Sequence, residues 1–279
     1  MPACNPATLG PEPASVANRP RLEHDVVPSM TAPQDRSALP VRHRQSGFTL
    51  IEIVIVVVVV GLLLGGVLAG QQLIRGARVH KLMADVSGYR AAIHSFTERY
   101  ETYPGDYEGA SLHIKCSPAC LNGNGNKRVE RNAVPVGGSQ VHEELLVWSH
   151  LSGAGFISGQ FTAAPGGTIP TLNNSPVNIS QRYWQFIFDA VFGSTPGTPA
   201  RHNLKTGNQI PVSFLQEIDT KVDDGLPNAG FFRFSAFAAG DASPVAGAAA
   251  APNCTNGGGQ NAVWNATNGT TNCGAASLF

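Results

Sequence analysis

Residues 53–70, IVIVVVVVGLLLGGVLAG, are 18 consecutive residues without a charge, and this run constrains the chain more than any other feature. Adding Phe48–Glu52 gives 23 residues. At about 1.5 Å of rise per residue, a helix of that length crosses the ~30 Å hydrocarbon core of a bilayer with a little tilt. Gly61, Gly65, Gly66 and Gly70 would loosen such a helix in water, whereas in a membrane they let helices approach closely. Glu52 is the anomaly, one residue ahead of the run. A carboxylate inside a spanning helix is penalised by roughly 2.5–3.5 kcal/mol on insertion scales, so its presence asks for a reason.

Beyond Gly70 the periodicity changes rather than stopping. Leu73, Ala77, Leu82, Val86, Tyr89, Ile93, Phe96 and Tyr100 recur at steps of three to five residues, which draws one apolar stripe on an amphipathic helix. Charged residues from Arg75 to Arg99 mostly take the other faces. The pattern predicts one helix of about 50 residues, apolar first and amphipathic after, stopped before Pro104 in YETYPGD.

The second half reads as a small mixed domain. SQVHEELLVWSHLSGAG (139–155) predicts a short helix with Val141, Leu145, Trp148 and Leu151 on one face. RYWQFIFDAVF (182–192) is aromatic and β-prone, and FFRFSAF (231–237) alternates, so both predict strands. PVSFLQEIDTKVDDG (211–225) predicts a helix ended by Gly225, with Ser213 and Gln216 at capping-box spacing. The Ala/Gly/Asn-rich tail, 238–279, is expected to depend on its cysteines for order. Residues 1–41 are polar, Pro-rich and aperiodic, and read as disordered.

Composition narrows the function classes. Acidic and basic residues balance at 19 each, which gives no electrostatic reason to expect nucleic acid as the main ligand. Charged residues are only 14 %, beside 31 Gly and 20 Pro, a balance that fits a loop-rich extracytoplasmic domain. Cys4 stands alone near the start, while Cys116/Cys120 and Cys254/Cys273 form two local pairs. Local pairing into two disulfides closes the shortest loops and is the preferred reading. Zinc is the rival, although a C-x3-C pair and a second pair whose members have 18 residues between them make no compact ligand knuckle.

Three features meet ahead of the apolar run. Arg42, His43 and Arg44 make a basic leader, Gly47 offers a peptidase a site without a side chain, and Phe48-Thr49-Leu50-Ile51-Glu52 opens the helix. A secretory signal has its cleavage site after its apolar core; here the expected cut comes before it. An uncleaved signal anchor, or a signal cut after Ala69, would leave Glu52 and the Gly47-Phe48 junction unexplained. The arrangement resembles the class III signal of type IV prepilins and type II secretion pseudopilins. YETYPGDYEGA (100–110), NGNGN (122–126), WSHLSGAGFISG (148–159) and IDTKVDDGLPNAG (218–230) are similar to segments of a group of bacterial prepilin-like proteins.

That resemblance implies an α+β, pilin-like fold: a long N-terminal helix packed on a small antiparallel-sheet head. It divides the chain into a leader (1–47, with Met30 as an alternative start), a membrane half of the helix (48–70), an amphipathic half (71–103) and a head (104–279). It implies cleavage between Gly47 and Phe48 by a prepilin peptidase, N-methylation of Phe48, and a role for Glu52 in meeting a neighbouring subunit's N-terminal ammonium during assembly. The implied partners are other subunits in a helical filament, an inner-membrane assembly platform and membrane lipid. The implied location is the inner membrane with the head in the periplasm, then a pilus or pseudopilus. A minor tip subunit for adhesion or DNA uptake, and a tethered periplasmic binding domain that never polymerises, are the alternatives. Many pilins carry a proline at the position of Ala69; its absence here puts local helix melting in doubt.

Two groups suggest calcium. Asn122, Asn124 and Asn126 alternate with Gly like the start of a calcium loop, although Ala133 stands where a closing Glu would be. Asp219, Asp223 and Asp224 form the second, at the end of the 211–225 helix, where acids oppose the helix dipole. The major pseudopilins hold calcium in a C-terminal loop, and the resemblance favours this second group. No enzymatic motif is visible: HEELL (142–146) lacks the second His of H-E-x-x-H, and no G-x-S-x-G or Walker loop occurs.

Overall fold

The computed structural model describes residues 47–131, 133–136, 139–164, 169–193, 197–236 and 252–279. Cys4, the basic residues 42–44 and the expected disorder of 1–41 lie outside the described residues. The chain divides into a unit that ends at Ile55 and a second unit from Val56 to Phe279.

The first helix, α1 (Leu50–Tyr100), runs unbroken for 51 residues. Its apolar window is wholly exposed within the chain. Burial begins at Val79 and continues through Leu82, Val86, Ala92, Ile93 and Phe96. Leu73 and Ala77, expected on the buried stripe, stay exposed, and the buried stripe begins at Val79. A short helix α2 (Ala110–His113) follows. Strands β1 (Ala133–Val136) and β2 (Ser139–His142) pair antiparallel as a separate hairpin.

Helix α3 (Glu143–Gly153) starts later than expected, since 139–142 is drawn into the pairing with β1. It is also not amphipathic: every residue from Glu143 to Leu151 is buried, so its polar residues needed tertiary partners that no periodicity reveals. Strands β3 (Gln185–Asp189) and β4 (Arg201–Lys205) pair antiparallel, with Gln185 opposite Lys205 and Asp189 opposite Arg201. Helix α4 (Val212–Val222) is capped by Pro211 rather than through Ser213, with no side-chain cap bond. The Pro211 carbonyl accepts the Phe214 and Leu215 N–H groups, which places Ser213 and Gln216 inside the helix.

Strand β5 (Phe232–Phe234) is shorter than the 231–237 segment expected, and Phe237 lies outside the described residues. The tail holds a small pair, β6 (Thr255–Asn256) with β7 (Val263–Trp264), and then β8 (Ala275–Leu278). The main sheet has the order β3-β4-β8-β5, so the last strand of the chain lies inside it, between β4 and β5. The fold is therefore α+β: a long N-terminal apolar helix whose second half packs on a small antiparallel sheet.

One face of that sheet meets α1. Phe186, Leu204, Phe232 and Ala275 join Val79, Leu82, Val86, Ile93 and Phe96 in the main core. Tyr89 stands edge-on to Trp148 and Trp184, with 5.2 Å between ring centroids in each case. The opposite face carries Ala276 and Leu278, packed with Phe192. Arg90 ties the end of the chain to α1: its guanidinium donates to Ser277 Oγ at 2.6 Å and to the Leu278 carbonyl at 2.7 Å. Burial lowers the Arg90 pKa, and the nearby Asp223 carboxylate partly restores it.

Candidate functional site

The N-terminal end of α1 is built on Thr49. Its carbonyl accepts the Glu52 and Ile53 N–H groups, and its hydroxyl oxygen accepts Glu52 N–H at 3.4 Å. Thr49-x-x-Glu52 is the spacing of a capping box, a signal available in the sequence that the hydropathy of the run overshadowed. Glu52 thus sits in the first turn, where the helix dipole favours a negative charge. Phe48 is 76 % exposed, and among the described residues the Glu52 carboxylate has no partner within the chain. The junction Gly47-Phe48 and the acid at Glu52 are therefore both presented outward, to whatever surrounds this helix.

The second site is the carboxylate trio at the end of α4. One ligand oxygen from each of Asp219, Asp223 and Asp224 can be chosen so that all lie within 4.8 Å of one another. Asp219 is fully buried, and its Oδ2 accepts the Trp264 indole N–H at 2.6 Å. Its Oδ1 is buried and, among the described residues, makes no hydrogen bond of normal geometry. Burial pushes the Asp219 pKa up to about 6, and the Asp224 and Asp223 charges push the same way against the Trp264 and Gly225 N–H groups. Asp223 is the C-cap of α4, and its Oδ2 accepts Phe231 N–H at 2.5 Å and Phe232 N–H at 2.8 Å. Asp224 Oδ1 accepts Leu226 N–H at 2.8 Å. Each acid keeps one oxygen outside these bonds, a donor set of the hard, anionic kind that calcium takes.

The Asn loop is organised differently. Asn122 Oδ1 accepts Ser111 N–H at 2.7 Å, Asn124 Oδ1 accepts Asn126 N–H at 2.9 Å, and Asn126 Oδ1 accepts Arg128 N–H at 2.8 Å. Asn124 and Asn126 each close a local turn through the N–H two residues on, while Asn122 fastens the loop to Ser111 of α2.

What holds that loop is a set of buried titratable groups that sequence patterning does not single out. Glu143 accepts Asn124 N–H at 2.9 Å through one oxygen and Glu130 N–H at 3.1 Å through the other. Asp106 Oδ2 accepts Lys127 N–H at 2.8 Å. His150 bridges Gly105 N–H, 3.0 Å from Nδ1, and the Leu121 carbonyl, 2.8 Å from Nε2. His202 Nε2 accepts Val129 N–H at 3.2 Å. Burial drives the Glu143 pKa up to about 7 and the His150 and His202 pKa values down to about 4.

The four head cysteines form two disulfides, Cys116–Cys120 and Cys254–Cys273, with Cα–Cα distances of 5.1 and 5.8 Å. With their sulfurs so bonded, none is a thiolate, and the zinc alternative falls away. Cys254–Cys273 joins the β6–β7 segment to the approach to β8.

No curated protein and no solved structure matches the chain. Residues 42–68 match the model of the prokaryotic N-terminal methylation motif. The match covers the basic leader residues, the Gly47-Phe48 junction, Glu52 and most of the apolar run, so the chain carries a type IV prepilin-type signal.

Proposed function

We propose that this chain is the precursor of a pilin or pseudopilin subunit, with structural rather than enzymatic work. The observation that carries the reading is the order of parts at the N-terminus: basic leader, Gly47-Phe48, then an exposed apolar helix with Glu52 in its first turn. A prepilin peptidase cuts between Gly47 and Phe48 and methylates the new amine. The mature chain then begins with an ammonium four residues before Glu52. In a filament, the Glu52 carboxylate of one subunit meets the Phe48 ammonium of a neighbour, removing two charges that are costly when unpaired in lipid. A subunit inserted out of register leaves both unpaired, so the pair sets the axial stagger. The precursor waits in the inner membrane with its head in the periplasm until the assembly platform draws it into the filament.

The N-terminus and intact mass of membrane-extracted protein, from cells with and without prepilin peptidase, test this. A chain starting at methylated Phe48 only when the peptidase is present supports the proposal. A chain that keeps its leader, or one that begins at Gly70, overturns it.

Calcium at Asp219, Asp223 and Asp224 belongs to the same reading. Its support is the buried Asp219 Oδ1, which makes no hydrogen bond of normal geometry among the described residues, beside two further carboxylates. A cation there offsets both the buried charge and the unfavourable meeting of acids with a helix C-terminus.

A further inference from the structure

The head reaches α1 close to the end of the apolar run, and the meeting point is basic. Arg75 lies five residues beyond Gly70, about 7.5 Å along a helix. The headgroup layer on each side of a ~30 Å hydrocarbon core is roughly 5–7.5 Å thick, so Arg75 stands at its depth. The Arg75 guanidinium lies over the Phe214 ring, 5.6 Å from its centroid, which brings α4 to the same level. From Gln71 to Ala84 the helix carries Arg75, Arg78 and Lys81 and no acid.

At this level a groove of about 520 Å³ opens between Arg75, the outer face of α4 and the turn at 266–267. Arg75, Ser213, Gln216, Glu217, Lys221 and Thr267 supply its polar lining. Glu217 and Lys221 pair with each other at 2.8 Å, so their charges offset. Arg75 is left as the uncompensated charge, with no hydrogen bond or ion pair among the described residues. Ser213 and Thr267 add hydroxyls, and Gln216 and Glu217 add acceptors.

We infer that this groove binds the headgroup of an anionic phospholipid bearing hydroxyls, of the phosphatidylglycerol type. Its single negative phosphodiester faces Arg75 and the Ser213 hydroxyl, and its glycerol hydroxyls face Gln216 and Glu217. A zwitterionic choline headgroup offers no hydroxyl to those acceptors and carries no net charge for Arg75. The inference rests on the membrane-anchored reading of the N-terminal helix. Its consequence is a head held down on the bilayer surface while the subunit waits, and released when the subunit leaves the membrane.

The test uses the full chain in phosphatidylcholine nanodiscs doped with phosphatidylglycerol, with retained lipid counted by native mass spectrometry after detergent stripping. Wild type is expected to retain phosphatidylglycerol over phosphatidylcholine. Arg75→Gln, which removes the charge, and Thr267→Trp, which fills the groove without changing charge, each reduce that retention about tenfold. Arg78→Gln, on the same helix and outside the groove lining, leaves it unchanged. Equal retention by wild type and Arg75→Gln overturns the inference, as does an equal loss in Arg78→Gln, which assigns the effect to diffuse charge. Displacement of the lipid by soluble glycerol phosphate also overturns it, making the groove a site for free phosphate. Failure of the chain to enter nanodiscs at all is a different result: it removes the membrane reading itself, and this site with it.

Discussion

The Trp264 indole N–H donates to Asp219 Oδ2 at 2.6 Å across 45 residues of sequence. This one bond fastens the disulfide-bearing tail to the last turn of α4, and it is the side-chain partner of a fully buried carboxylate. Trp264→Phe keeps an aromatic side chain but removes the N–H donor and part of the indole's buried volume. Leaving a buried acid short of a partner costs about 1–3 kcal/mol. The expected result is a lower unfolding temperature for the detergent-solubilised full chain, by several degrees, with the Cys254–Cys273 disulfide still formed by mass spectrometry.

Gly230 has φ +59°, and a Cβ there would run into the Asp223 carboxylate. That carboxylate is itself fixed by the Phe231 and Phe232 N–H groups. Gly230→Ala is therefore expected to destabilise by about 1–3 kcal/mol from the left-handed backbone alone, with the displaced Asp223 adding to it. Chemical denaturation reads this directly; an unchanged midpoint would show that the loop relaxes freely.

Calcium is expected to raise the unfolding temperature of wild type and to leave Asp224→Asn unmoved. Asp224 is exposed, and an Asn there keeps an oxygen for Leu226 N–H while losing the charge. At one hundred times its Kd, a ligand of the folded state adds about 2.7 kcal/mol. Identical melting of both proteins with calcium and with chelator would remove the metal from the proposed function.

The buried groups around the 121–131 loop predict opposed pH effects. Glu143 has a folded pKa of about 7, raised from 4.5, so its contribution to stability is full below about pH 4.5 and lost as pH rises through 7. His150 and His202 have folded pKa values near 4, lowered from 6.5, so their contribution is full above pH 6.5 and lost as pH falls through 4. Glu143→Gln removes the first term only. The stability difference between wild type and Glu143→Gln should grow in favour of wild type as pH falls from 8 to 5, measured by thermal unfolding. A difference independent of pH would mean that Glu143 does not titrate in this range.

Glu52→Leu is expected to insert into the membrane as well as wild type or better, because the cost of placing a carboxylate in a spanning helix is gone. It is not expected in sheared filaments. Recovery of Glu52→Leu in filaments at the wild-type level would show that the carboxylate does not set the register.

Local signals determined the N-terminal helix and several elements of the head. The length and apolarity of 53–70, the stripe from Leu82 to Phe96 and the Pro104 stop specify α1, because hydropathy and helical period are properties of neighbouring residues. The methylation motif is legible for the same reason, and the cores of α4, β3 and β5 were readable from period and composition. The tertiary structure alone decided the rest. Strand β4 reads Arg-His-Asn-Leu-Lys, which no propensity scale favours as a buried strand, yet four of its five residues are buried. It can be buried because Asp189, on the neighbouring strand, accepts both Lys205 Nζ and Asn203 Nδ2. Strand β8, Ala-Ala-Ser-Leu, is weak by itself and sits inside the sheet because β4, β5 and Arg90 of α1 each supply bonds to it. Glu143, Asp106, His150 and His202 look like surface residues in sequence, and their partners are backbone N–H and carbonyl groups of a distant loop. Every backbone group looks alike in sequence, so which of them needs a buried acid or imidazole is settled only when the chain has folded around it.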